Sequence, residues 1–310
     1  MKRDAQVVVD VKDRSNCKDM QKINDRKIRK LQVEEHILTR RLWEEVFVED
    51  TPEFLDYYYS IKIKNNEIYV IEDDGEIVSM LHLNPYEMRI GDKLCQTHYI
   101  VAVATKQSYR KRGLMGQLLN YVLQVMADRG EPFTFLMPAD EAIYKPFGFE
   151  FVYEQRQDKV VGKRNYDAQL EMIPATENDC EKIANFANQM LQEYDVVTWR
   201  DSQYYETLLL ELASEDGGIL LAKRNGKIEG VFCYACIGGE DKRFVIREPI
   251  FQNEQDLQHA IFHLTGNEID RVLCTGYGSE ETKPMIMAKV LSPKFNLGLK
   301  NAKIFINEEV

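Results

Sequence analysis

The sequence predicts an α/β fold used twice in tandem, and three observations carry that reading. Two apolar stretches meet at a tight-turn dipeptide in two places. "IYVIEDDGEIVSM" (Ile68–Met80) turns at Asp74-Gly75, and "ILLAKRNGKIEGV" (Ile219–Val231) turns at Asn225-Gly226. Each hairpin follows two helical stretches, and the turn glycines and apolar strands fall in register when the segments are set side by side. A length of 310 residues itself favours about two domains. Helix, helix, hairpin in the same order twice reads as duplication. The alternative is two unrelated domains that share common hairpins.

Taken in order, residues 1–28 are polar with little periodicity and read as an extension. The first domain spans 29–165. In "LQVEEHILTRRLWEEVF", Leu31, Val33, Ile37, Leu38, Leu42 and Val46 stand near helical spacing. Thr51 then caps a second helix with Pro52 in its first turn. After the hairpin, "HYIVAVAT" reads as a buried strand. "GLMGQLLNYVLQVMADRG" puts Leu114, Met115, Leu118, Leu119, Val122 and Met126 on one helical stripe, ended by Arg129-Gly130. The polar, turn-rich "QRQDKVVGKRNYDAQL" marks the boundary. The second domain, 166–280, repeats two helices and the hairpin, then runs through "KRFVIREPIF" into "NEQDLQHAIFHLTG". Residues 281–310 read as a C-terminal tail.

Bulk properties narrow the function. A net charge of −11 argues against general nucleic-acid binding and is compatible with a small cationic substrate. No run of about 18 apolar residues suggests a membrane span, and the N-terminus lacks the pattern of a secretory signal, so a cytoplasmic location is expected. Six cysteines are scattered, and the one close pair, Cys233 and Cys236, sits on a strand where positions three apart face opposite ways. Reduced thiols are expected, with no metal.

The most informative stretch is "ATKQSYRKRGLMGQLL" (Ala104–Leu119). It joins a buried strand to a helix. A helix start presents unpaired N–H groups and partial positive charge. Arg110, Lys111 and Arg112 add cations, and Gly113 lets a ligand approach the backbone. The fitting guest is a phosphate or pyrophosphate; the alternative is a solvated basic turn. The second domain has neither the basic cluster nor the glycine, so only the first can bind an anion in this way.

Arg110-Lys111-Arg112-Gly113-Leu114-Met115 resembles motif A of the GNAT N-acetyltransferases, (Q/R)xxGx(G/A), with Met115 departing at the sixth position. Together with "EPFTFLMPADEAIYKPFGFEF", it resembles the Eis-type (enhanced intracellular survival) branch, where a bulky residue is common there. The resemblance covers residues 30–165 and extends more loosely onward. It implies tandem GNAT folds, each a mixed, mostly antiparallel sheet flanked by helices, the second degenerate and the sterol-carrier-like third domain of that branch missing. It implies acetyl-CoA as co-substrate. Its pyrophosphate would lie on the backbone of Lys111, Arg112, Gly113, Leu114, Met115 and Gly116, beside Arg110. Its pantetheine arm would pair with Val103, Ala104 and Thr105, with a further contact at Ala139 and Asp140. The hexamer of that branch is not carried over, and a homo-oligomer is left open.

The same resemblance makes Tyr144 the general acid. A phenol with a pKa of about 10 is protonated at neutral pH and suits a leaving thiolate; the alternative is an aromatic packed with Phe147 and Phe149. It makes the C-terminal carboxylate, here on Val310, the general base, with Ile304 and Ile306 alternating as in a docked tail. The alternative is a frayed terminus. His82 and His98 are weaker candidates for the acceptor pocket. The expected function is acetyl transfer from acetyl-CoA to a primary amine (aminoglycoside, polyamine or lysine) by direct attack. The rival is a non-catalytic acyl-CoA-binding or regulatory protein on the same fold.

Overall fold

The computed structural model describes residues 27–159, 162–163, 169–237, 243–266, 272–275, 282–292 and 302–308. The first half runs β1 (Ile28–Lys30), α1 (Arg40–Val46), α2 (Pro52–Ser60), β2 (Glu67–Asp73), β3 (Glu76–Ile90), β4 (Lys93–Thr105), α3 (Leu114–Asp128), β5 (Phe133–Leu136), α4 (Glu141–Tyr144) and β6 (Glu150–Lys159). The second runs β7 (Leu170–Pro174), α5 (Cys180–Met190), β8 (Val196–Thr198), α6 (Ser202–Ser214), β9 (Gly218–Arg224), β10 (Lys227–Ile237), β11 (Arg243–Phe251), α7 (Glu254–Thr265) and β12 (Val272–Thr275). Two more strands come after these, β13 (Thr282–Val290) and β14 (Ile304–Phe305).

The strands form one continuous sheet in the order β1-β2-β3-β4-β5-β13-β6-β12-β11-β10-β9-β7, with β8 on β3 and β14 on β8. Pairing is antiparallel except for β4 with β5, β11 with β12, and β14 with β8. The fold is thus a mixed, mostly antiparallel sheet flanked by helices. Residues 282–290, read from sequence as the start of a tail, form β13 between β5 and β6, so a strand from the end of the chain completes the sheet of the first half.

Both hairpins turn where expected. Asp74 and Gly75 have φ of 50° and 80°, and Asn225 and Gly226 have 52° and 76°. Two successive left-handed residues are what a type I′ hairpin turn requires. The first expected helix differs. It opens as a 3-10 segment, Val33–Thr39, before α1, and Val33, Ile37 and Leu38 stay exposed. Those apolar side chains have no sheet face to cover, so they do not lock an α-helical register.

The stripe on α3 is buried as its period requires: Leu114, Leu118, Leu119, Val122 and Met126 pack on Leu81, Leu83 and Ile100 of one sheet face. The opposite face carries Met80, Ala102 and Ala104 under Trp43 of α1 and Tyr58 of α2. In the second half, α5 and α6 pack Ile183, Ala187 and Leu212 on Leu221, Val231 and Cys233. Cys233 is buried and Cys236 half-buried, and neither is in a disulfide.

Candidate active site

The site begins with a fault in β4. This strand pairs with β3 as far as Thr105, but with β5 only at His98–Thr134 and Tyr99–Phe135. Beyond Tyr99 the two strands part, and the far edge of β4 through Val103, Ala104 and Thr105 has no strand partner among the described residues. The cause is a bulge. Between the pairs Met80–Ala104 and His82–Val101, β4 holds one extra residue, and Ala102 takes φ of 52°. A bulge bends and twists its strand, and a left-handed alanine costs on the order of 1 kcal/mol, which the surrounding packing must offset.

The turn after β4 is built to leave a helix end open. Lys111 and Gly113 are both left-handed, with φ of 64° and 76°. Gly113 is the N-cap residue of α3 and brings no side-chain cap. The first bond back along the helix is Gln117 N–H to Gly113 O at 3.1 Å. The N–H groups of Leu114, Met115 and Gly116 therefore precede the ladder, at the positive end of a 15-residue helix. The two arginines brace the turn. Arg110 Nε donates to Thr105 O at 3.1 Å, Arg112 donates to Ser108 O at 2.9 Å, and the Arg112 guanidinium lies 4.8 Å from the Tyr109 ring centre.

A second motif closes on this helix start. A β-carbon on Gly116 would stand 3.3 Å from Phe147, so glycine there lets the Phe147 ring lie against the first turn. Met115 packs at the rim of the α3 core, which gives the bulky sixth position of the motif a place. Lys289 of β13 donates to Phe147 O at 2.7 Å, and Gly148 turns the chain at φ of 84°. Tyr144, the last residue of α4, is buried in the same apolar cluster as Val103 and Leu114, edge-on to Phe149 at 5.9 Å. Burial pushes its phenol well above the usual value, so it keeps its proton. Ala139 and Asp140 lie on the loop after β5, and both are exposed. The Asp140 carboxylate caps α4, accepting from Ala142 N–H at 2.9 Å.

The two histidines sit apart from this turn. His82 is fully buried with Nδ1 3.1 Å from the Tyr58 hydroxyl, and burial pushes it down to about 3, so it is neutral at physiological pH. His98 Nδ1 lies 2.9 Å from Glu131 Oε2. That pair borders a cavity of about 530 Å³, lined also by Gln96 and Arg129, at the opposite end of α3 from Gly113.

The end of the chain is docked as far as it is described. β14 lies parallel to β8, and Ile304 and Ile306 are buried with Tyr86, Tyr99 and Phe135. Asn307 accepts from Gln155, and Glu308 is buried with Oε1 3.4 Å from the Tyr204 hydroxyl. Val310 lies outside the described residues. The polar side chains gathered here (Tyr86, Arg200, Tyr204, Glu211, Glu308) escape sequence reading, because they come one at a time from β3, α6 and the loop before it, and the tail. A lone Arg or Glu between apolar residues is their only trace.

An open strand edge, an uncapped helix start beyond it and a buried, protonated tyrosine thus come together in the first half. Residues 27–152 match the family model described as acetyltransferase (GNAT) domain, and this stretch carries such a domain. No curated protein matches the chain. Among solved structures, the chain resembles a conserved protein of Enterococcus faecalis V583 described as "probable N-acyltransferase", at 17% identity and a TM-score of 0.70, covering 86% of this chain and 73% of that one. It resembles a GCN5-related N-acetyltransferase of Anabaena variabilis ATCC 29413 at 16% identity and TM-score 0.66, over 86% and 73%. It also resembles Eis1 of Mycobacterium abscessus at 12% identity and TM-score 0.58, over the same shares. At these identities the likeness is one of fold.

Proposed function

We propose that this chain is an N-acetyltransferase of the Eis-like kind that moves an acetyl group from acetyl-CoA to a primary amine of a cationic small molecule or lysine side chain. The observation that carries the reading is the meeting of two features in one place: β4 leaves β5 after Tyr99, and the uncapped start of α3 comes directly after it. The residues fit the co-substrate. The unpaired β4 edge at Val103, Ala104 and Thr105 matches an amide-bearing arm, and the N–H groups from Lys111 to Gly116 match a pyrophosphate. Acetyl-CoA would supply the thioester carbonyl.

The chain's own residues would do the rest. Tyr144 holds a proton on its hydroxyl for the departing thiolate, and its buried ring keeps that proton at neutral pH. No cysteine stands in this site as a nucleophile among the described residues, which fits direct attack by the amine. Residues 304–306 dock against Tyr86 and Tyr99, where β4 leaves β5, and this supports the Val310 carboxylate as the group that would take the proton of the amine.

Purified protein with acetyl-CoA and a panel of amines is expected to release free thiol. Tyr144→Phe should slow that release on the order of 100-fold, and deleting Val310 alone should slow it while CoA affinity stays. CoA binding without thiol release for any amine in a broad panel would sink the enzyme reading. An undiminished rate in the shortened chain would remove the Val310 carboxylate from the mechanism.

A further inference from the structure

The cavity at the far end of α3 is built around a buried pair that the acetyl-CoA site does not use. His98 and Glu131 are both buried, and they line the cavity together with Asn65, Glu67, Gln96 and Arg129. Three elements meet there: the end of α3, the entry to β5, and the part of β4 that still pairs with β5. The 15 residues of α3, about 22 Å of helix, separate this end from Gly113. The backbone of the pair is pinned on both sides. Glu131 N–H donates to Met126 O at 3.2 Å as α3 closes, and Thr134 Oγ1 donates to His98 O at 2.8 Å.

The polar atoms of this cavity are unequally satisfied. A carboxylate only accepts, so His98 carries its proton on Nδ1, 2.9 Å from Glu131 Oε2, and its Nε2 is an acceptor. Glu131 Oε1 has no hydrogen-bond partner, although the residue is only 7% exposed. Arg129 Nη1 stands 3.9 Å from that oxygen, close enough to pair in charge and too far for a hydrogen bond. The other arm of Arg129, Nη2, is committed to Glu67 Oε2 at 2.9 Å and to the Tyr69 hydroxyl at 3.3 Å. Lys30 holds Glu67 Oε1 at 2.8 Å. Burial acts to raise the Glu67 carboxyl, but bonds from Arg129, Lys30 and Tyr69 bring it down to about 2, so it is ionised at neutral pH. The charges therefore close, Glu67 and Glu131 against Lys30 and Arg129.

A lone cation or a lone anion would upset that balance. A molecule that carries one of each keeps it. The buried oxygen of Glu131 asks for a donor, and Arg129 Nη1 beside it offers one. An ammonium and a carboxylate joined through a single carbon match that acceptor and donor. We propose that this cavity binds a free α-amino acid with an uncharged polar side chain. Its ammonium donates to Glu131 Oε1 and His98 Nε2, its carboxylate accepts from Arg129 Nη1, and its side chain meets the carboxamides of Asn65 and Gln96. The cavity, at about 530 Å³, has room for the whole molecule. This site stands apart from the acetyl-CoA turn and does not rest on the acetyltransferase reading.

The full chain would be titrated calorimetrically with L-glutamine in the absence of acetyl-CoA, and saturable binding is expected. Glu131→Gln should weaken it roughly tenfold while CoA affinity stays unchanged. Arg129→Lys, which keeps a cation for Glu67 and removes Nη1, should weaken it about threefold and serves if Glu131→Gln does not fold. N-acetyl-L-glutamine lacks the ammonium and L-glutaminamide lacks the carboxylate, and each should bind roughly tenfold more weakly than glutamine. Hydrogen exchange should show glutamine protecting amides 129–131 and leaving 111–116 as they were. No binding to the wild type, or equal affinity in the wild type and both variants, would overturn the site. Either trimmed ligand binding as tightly as glutamine would overturn its assignment to a zwitterion. These readouts need no thiol release, so their failure leaves the acetyltransferase standing, and a chain that acetylates no amine can still pass them.

Discussion

The two halves of the sheet share one fault and differ in the helix start that comes after it. In the first, β4 bulges at Ala102 (φ 52°) and leaves β5 after Tyr99. In the second, β11 bulges at Glu248 (φ 55°) and leaves β12 after Ile246. The bulges match in register: Ala104 and Ile250 face Met80 and Val231, while Val101 and Arg247 face His82 and Cys233. The helix starts then diverge. α3 begins at Gly113 with no side-chain cap and no acid in its first turn. α7 begins at Asn253, whose Oδ1 accepts from Asp256 N–H at 2.9 Å, with Glu254 and Asp256 in the first turn. One helix end is left open to an anion; the other is closed by its own cap and surrounded by negative charge. The lesson is that both halves carry the split, while only a few residues at the helix start decide whether that helix end is open or capped.

The sharpest way to break this contrast is to give α3 the character of α7. Gly113→Asp places an acid at the open end and an ordinary side chain at φ of 76°. The loss of favourable charge and the backbone strain together should weaken CoA binding roughly 10- to 100-fold. A calorimetric titration measures it. Hydrogen exchange on the same samples should show CoA protecting amides 111–116 in the wild type and none at the start of α7. Unchanged affinity in Gly113→Asp would move the pyrophosphate elsewhere.

A smaller effect tests how the second motif supports the first. At Gly116, a β-carbon would come within 3.3 Å of the Phe147 ring. Gly116→Val overfills that contact, at a cost of about 1–3 kcal/mol. The melting temperature should fall by a few degrees and CoA affinity several-fold, because the displaced ring carries the loop behind Tyr144 with it. A drop in stability with full CoA affinity would show that Phe147 supports the fold and not the site.

How much of this was legible in the sequence depends on the range of each interaction. The hairpins were, since Asp74-Gly75 and Asn225-Gly226 satisfy a purely local demand for left-handed backbone. So was the α3 stripe, and so was the helix start at Gly113. The insertion of β13 between β5 and β6 was not, because "KPMIMAKV" shows an apolar strand but not its partners, which lie more than a hundred residues away. The bulges were hidden as well, since neither Ala102 nor Glu248 is a residue that asks for positive φ. The buried cluster of Glu211, Glu248, Glu308 and Arg200 was the least visible, being assembled wholly by tertiary contacts.

The finest difference between the halves is a titration. His82 and Cys233 occupy matching places, each on the inner strand of its hairpin opposite the start of the bulge. Burial pushes His82 down to about 3 and pushes the Cys233 thiol up. The unfolded chain would bind a proton at His82 below its ordinary value of about 6.5, while the folded chain refuses it until about pH 3. Stability from this group is therefore intact above about pH 6.5 and is lost as pH falls toward 3, with a slope of at most about 1.4 kcal/mol per pH unit. The thiol takes up no proton in that window. Between pH 7 and 5, hydrogen-exchange protection factors should fall more in β2 and β3 than in β9 and β10. In His82→Gln the pH slope of unfolding free energy should flatten by up to one proton, whatever its stability at pH 7. An unchanged slope would mean that His82 is protonated in the folded chain, held by a group other than the Tyr58 hydroxyl.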